Sequence, residues 1–463
     1  MKLFRNAIIL VVVVALLIGA YYFLSNRPSG DDGPANSTET KVERVISVEK
    51  DKISSLEYNS EKGTYKLLKK DNQWTVEPGM EFPLDEATAT AASEELSSII
   101  AQKVIEENAS DLSKYGLDKP SATMKVGLED GTINEIEVGN LSPTGDGLYV
   151  KNKGSNKVFL IASSYEESFK QNKGHFAVKE ILPVEATSVS AITYEKNGQV
   201  QFALDIKSSA ETLITAPVEE KADSAEVEKM TNAVVQLEIW DIVDDNPDLA
   251  KYGLDKPRFS IEYSDGTTTK KILFGKQLDK GYTAYAKLAD SKSVFTIDIS
   301  PLTFLDMKFS DLVEPFVFIP NIKDVSKVEL TMDGKTTVSE INTVEDDSDK
   351  DTFKVDGKDA TMKNDKDKSL FRNFYQGLIG ITFDRYETGL TPTGNPEITI
   401  KYHMKTDSKP VIIELIPKDE FYYYAMKNGV FTNRIVLKAK LQEEGGLRPT
   451  YKELMEAIDK AGK

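Results

Sequence analysis

Cysteine is absent from this sequence, and histidine and tryptophan occur only twice each. Without a thiol there is no disulfide, no cysteine nucleophile, no thiolate site for zinc or iron–sulfur, and no lipidated N-terminal cysteine. The two histidines, His175 and His403, stand alone in the chain, so neither comes with the neighbours that a metal site or catalytic triad needs. Positive charge is also short: 58 Lys and Arg face 75 Asp and Glu, a formal net charge of −17, with no basic block. That balance disfavours nucleic acid as a partner. The strings HExxH, GxSxG and GxxxxGK[ST] do not occur, removing the zincin, serine-hydrolase and P-loop signals. SVEK at 47–50 has SxxK spacing but lacks KTG or SDN companions, and so short a string arises by chance. No cofactor and no catalytic residue is expected.

What is present begins with a hydrophobic run. Ala7–Leu24 (AIILVVVVALLIGAYYFL) carries no charge and comes after Lys2 and Arg5. As a helix it would span about 27 Å, close to the roughly 30 Å of a bilayer core. Two readings are open, an uncleaved anchor or a signal peptide cut after Ile18-Gly19-Ala20. The apolar run continues through Tyr21, Tyr22, Phe23 and Leu24, which favours the anchor. Either way, Lys2 and Arg5 are expected inside and the bulk of the chain outside. The next stretch, SNRPSGDDGPANSTETKVE, has the composition of a flexible linker.

Beyond the linker the chain repeats itself. DLSKYGLDKP at 111–120 returns as DLAKYGLDKP at 248–257. Each copy leads into alternating apolar and polar residues, a turn at Asp130-Gly131 or Asp265-Gly266, further alternation, and a stop at Gly139 or Gly275. A second hairpin comes next in both, at 147–161 and 282–297. Helical stretches are expected upstream at 85–105 and 223–243. A third copy keeps Gly389, Leu390 and Pro396, with a helical stretch at 368–383 and a last hairpin at 420–437.

The expected organisation is a stub at 1–6, a transmembrane anchor at 7–24, a linker at 25–44 and repeat units at 45–183, 184–320 and 321–463, the last more divergent. The expected fold class is α+β: an N-terminal transmembrane helix, then three tandem repeats, each a helical segment plus antiparallel hairpins.

The decapeptide has a physical reading. Gly116 suits the left-handed residue after a short helix, where a Cβ would cost about 1–2 kcal/mol. Leu117 then packs on Leu112, and Pro120 blocks further helix. Leu249, Gly253, Leu254 and Pro257 take the same parts, with Asn246 and Pro247 as N-cap and first helical residue. Copy three puts Arg385 where the leucine should be, which weakens the contact. A ligand-binding reading would use Tyr115 and Asp118 with Tyr252 and Asp255. Because every residue type already has a backbone or packing task, a structural joint is the expectation.

Other candidates are thinner. Asp347, Asp349 and Asp351 have the first spacings of a calcium loop, but Thr352 replaces its glycine and Lys358 its bidentate glutamate, so a solvated loop is expected. In Phe421-Tyr422-Tyr423-Tyr424, alternate rings face opposite sides of a strand, making Tyr422 and Tyr424 a candidate contact surface.

The Tyr-Gly-Leu-Asp-x-Pro element, the paired strands with their Asp-Gly turn and the closing glycine resemble the bacterial family catalogued as domain of unknown function 4340. The resemblance covers most of 45–440 and is strongest over 111–161 and 248–297. It implies a membrane-anchored, extracytoplasmic protein associated with ABC-type transport or cell-envelope assembly, and it supplies no catalytic residues. The expected function is a non-enzymatic scaffold tethered by its N-terminal helix to a membrane-protein partner such as a transporter component. The alternative is a module binding wall glycan or a small ligand.

Overall fold

The computed structural model describes residues 42–244, 247–278, 281–345 and 347–462. The run Ala7–Leu24 and the stub before it lie outside the described residues, as does Asn246. Two compact units form. One takes the described residues up to 77 together with 86–171, and the other takes 78–85 together with 172–462.

Strands dominate because apolar residues recur at every second position. Val325–Met332, for example, buries Val325, Val328, Leu330 and Met332. The first unit holds an eight-stranded antiparallel sheet in the order Gln73–Glu77, Gly63–Lys70, Ile53–Ser60, Ala122–Leu128, Ile133–Leu141, Gly147–Asn152, Val158–Ala162, Lys103–Glu106. It also holds a two-stranded sheet pairing Arg44–Ser47 with Ser98–Ile100.

The second unit contains two nine-stranded sheets of the same pattern. In each large sheet, the first long strand of one meander pairs at the centre with the strand that opens the next: Tyr58 opposite Met124, Tyr194 opposite Ile261, Leu330 opposite Ile400. The strand after the helix closes the far edge, as Ile239–Asp244 does beside Val294–Asp298. Two separate cores result in the second unit, one built around Tyr194, Phe274 and Met230, the other around Phe371, Phe374 and Leu415.

This corrects the expected fold class. The structure is mostly β: four antiparallel sheets with seven α-helices among the described residues. No helix among those residues is long and apolar enough to cross a membrane. The α+β expectation overestimated helix because it ran each helical stretch too far. The helices end at Ser97, Val235 and Ile379. Beyond those ends the chain pairs as strand at Ser98–Ile100, Lys103–Glu106, Ile239–Asp244 and Arg385–Tyr386. Ile99, Val104, Ile239 and Ile242 are β-branched, and a free sheet edge within reach decides their conformation.

The Asp-Gly turns are also not the two-residue type. Four residues separate Leu128 from Ile133, and only the glycines take positive φ, +86° at both Gly131 and Gly266. The aspartates act instead as side-chain acceptors, Asp130 from the Thr132 N–H at 2.9 Å and Asp265 from the Thr268 N–H at 2.7 Å.

Candidate functional site

The first decapeptide forms a single short turn of helix, Leu112–Tyr115, capped by Asp111, whose carboxylate accepts from the Ser113 N–H. Gly116 comes next at φ +68°. The Leu117 N–H donates to the Leu112 carbonyl at 3.1 Å and the Gly116 N–H to the Ser113 carbonyl at 3.1 Å, the hydrogen-bond pair of a Schellman stop. The second copy repeats it with Gly253 at φ +71° and Leu254 N–H to Leu249 carbonyl at 2.9 Å. Its N-cap is Asp248, not Asn246.

Each turn then presses on the next hairpin. Tyr115 and Leu117 build a small core with Ala109 and Val158, and Tyr252 and Leu254 build one with Val294. The Tyr115 ring meets Tyr149 edge-on at 4.9 Å, and Tyr252 meets Tyr285 at the same distance. The phenols are tethered too, Tyr115 to Glu106 and Tyr252 to Asp244 at 3.0 Å. The Glu106 carboxylate at its hydroxyl, helped by burial, pushes Tyr115 up to about 12. Asp118 and Asp255 stay exposed, and Pro120 and Pro257 are half-buried before the strand. The motif's apolar residues are thus committed to packing rather than turned toward a ligand.

The third copy is different. Gly389 keeps φ +75°, but it follows the strand Arg385–Tyr386 rather than a helical turn, Leu390 is 38% exposed, and Pro396 is exposed. Arg385 lies in the edge strand Arg385–Tyr386, where the other copies have a leucine beginning the helical turn.

Tyr422 and Tyr424 are half-buried on one side of the strand Tyr422–Lys427, and Tyr423 is buried on the other. Their ring faces carry cations. The Arg385 guanidinium lies 4.4 Å from the Tyr422 ring centre and also donates to its hydroxyl at 2.7 Å. The Lys418 ammonium is 5.7 Å from the Tyr424 ring. The two tyrosines are therefore not a bare stacking platform.

The remaining candidates sit apart from one another. His403 Nε2 is 2.9 Å from Glu329 Oε1 across neighbouring strands, and His175 lies in the turn Lys173–Phe176, edge-on to Phe176. Asp351 is buried, pairs with Arg372 and accepts from the Val344 N–H at 2.7 Å, so it pins its loop. Asp347 pairs with Lys350 at 2.7 Å. Among the described residues no three Asp, Glu or His side chains gather as a metal site would need.

Sequence reasoning missed a half-buried polar cluster around the buried Arg434 in the second unit. Glu220 pairs with Arg434 at 3.0 Å and accepts from the Tyr386 hydroxyl at 2.8 Å. Burial, then this carboxylate, raises Tyr386 to about 12. Arg434 also donates toward the Glu314 carbonyl at 3.4 Å. These residues are far apart in the chain and fit no motif, so no local signal could have found them.

The model of domain of unknown function 4340 (DUF4340) matches residues 74–247 and 213–387, two overlapping segments that together span most of the chain. This chain belongs to the DUF4340 family. Each match begins in the third strand, in chain order, of one large sheet and runs past the helix of the next, so the DUF4340 pattern crosses from sheet to sheet and occurs here as a repeated domain. The family's description names no activity. No curated protein and no solved structure matches the chain.

Proposed function

We propose that this DUF4340 chain is a non-enzymatic scaffold that works through protein contacts at the cell envelope. The observation that carries this reading is where large apolar side chains stay exposed. Ile133, Trp240, Tyr282, Phe421 and Val430 sit at hairpin turns and sheet edges, while the repeated motif is occupied with packing. Exposed aromatic and aliphatic side chains on rigid hairpins are the kind of anchor that protein interfaces use. Placement of the bulk of the chain outside the membrane is supported by the sequence of residues 1–30 alone. A role beside ABC-type transport or envelope assembly is supported by the family resemblance alone. A glycan platform at Tyr422 and Tyr424 has less support, since Arg385 and Lys418 already occupy those rings.

The test is crosslinking in intact cells, affinity purification of the full chain in mild detergent, and mass spectrometry. A membrane permease crosslinked near these hairpins is the expected result. Repeated recovery of this chain alone, at good yield, would overturn stable scaffolding.

A further inference from the structure

We infer that the second unit carries a binding groove for a small amphipathic carboxylate, its anionic group received by Lys427 and its apolar body by Phe316, Phe318 and Phe431. The groove encloses about 590 Å³ and is walled by the edge residues Glu220 and Lys221, the connector through Glu314–Ile319, and the hairpin around Lys427–Arg434. That volume lies in the range of small-molecule sites, which combine apolar walls with a few placed polar groups.

The charges in the groove do not balance. Lys221, Lys427 and Arg434 line it, but the only carboxylates among the lining residues are Glu220 and Glu314. Both are already engaged, Glu314 with Lys221 at 2.6 Å and Glu220 with Arg434 at 3.0 Å. Lys427 is left without a carboxylate partner among the described residues. Its ammonium lies instead 4.5 Å from the centre of the Phe318 ring. Burial, then repulsion from Arg434, lowers its pKa, with the weaker pull of Glu314 and Glu220 only partly offsetting them. An incoming carboxylate would supply that counter-ion.

The wall that offers Lys427 is rigid. Asn428 at φ +53° and Gly429 at φ +77° make the two-residue turn that fixes strand register, and the Asn428 side chain accepts from the Ile412 N–H at 2.8 Å. The apolar wall is fixed as well. The Val317 N–H donates to the Ile381 carbonyl at 2.9 Å, and Phe318 packs edge-on to Tyr402 at 5.3 Å. Lys427 and three half-buried phenylalanines therefore face one space with little left to order on binding. The site shares Val430 with the scaffold reading but rests on the Lys427 charge and the phenylalanine wall, so failure of either reading leaves the other standing.

The test is calorimetric titration of the full chain with 4-phenylbutyrate, with 4-phenylbutanol and 4-phenylbutylamine as controls. Saturable binding of the carboxylate is expected, with the alcohol and amine at least about tenfold weaker, since a charge-assisted hydrogen bond is lost. Lys427→Gln should lose the same factor with an unchanged melting temperature. Should that variant fail to fold, Val430→Glu decides. Val430 lines the groove at 69% exposure, and a carboxylate there should repel the ligand without disturbing packing. Absence of saturable binding, equal binding of the alcohol, or undiminished binding in the variant that folds would overturn the site.

Discussion

Gly139 lies so close to Tyr115 that an ideal Cβ on it would stand 2.1 Å from the Tyr115 carbonyl oxygen. Gly275 stands in the same relation to Tyr252, at 2.2 Å. In both copies the glycine that ends the hairpin strand pairing is the seat for the helix stop. Backbone cannot retreat as a flexible side chain can, so Gly139→Ala should destabilise by about 1–3 kcal/mol. Gly79→Ala is the control, since among the described residues no atom beyond its chain neighbours lies within 4 Å of the added Cβ. Urea unfolding of both variants checks this, and equal midpoints would contradict the seat.

The copies should differ in what their leucines contribute. Leu117 is 2% exposed and Leu390 is 38% exposed. Leu117→Ala is expected to cost about 2–5 kcal/mol. Leu390→Ala should change stability by less than about 0.5 kcal/mol. Comparable losses in calorimetric melting would mean that the third copy still uses its leucine as a staple.

Glu220→Gln should destabilise the second unit by about 3–5 kcal/mol, because it strands the buried Arg434 charge. The Arg434 side chain is only 9% exposed, and its Nε has no hydrogen-bond partner among the described residues. Glu94→Gln, which breaks the exposed Lys50–Glu94 pair, should leave the unfolding midpoint nearly unchanged. A reversed order in denaturant unfolding would show that Glu220 is not the counter-ion Arg434 depends on.

Glu81 gives a pH dependence. Burial alone would raise its pKa, but the Ser291 hydroxyl and the N–H groups of Ser293 and Lys292 donate to the carboxylate, and the net shift is downward. A depressed folded pKa adds stability above the ordinary glutamate value of about 4.3 and loses it as pH falls through the lower folded value. Glu81→Gln should therefore be less stable than the parent at pH 7, and the gap should close below about pH 4. Melting curves across that range report it, and a gap that stayed constant would remove Glu81 from the acid transition.

The repeats, the helix stop and the family were legible in the sequence because each rests on local chemistry. A glycine at positive φ, a leucine five residues after its partner and a proline before a strand declare themselves within ten residues. The strand-rich fold was only half legible. Ile99, Val104, Ile239 and Ile242 satisfy a helical period nearly as well as an alternating one, and the open edge of a sheet made by distant residues decided for strand. Asp130 and Asp265 likewise marked turns in the sequence, but their part as side-chain hydrogen-bond acceptors follows from the four-residue loops. The Glu220–Arg434 pair and the unbalanced Lys427 could not be read in advance at all. Their charges acquire meaning only through desolvation, and which charges lose water together is set by tertiary packing rather than by any neighbour in the chain.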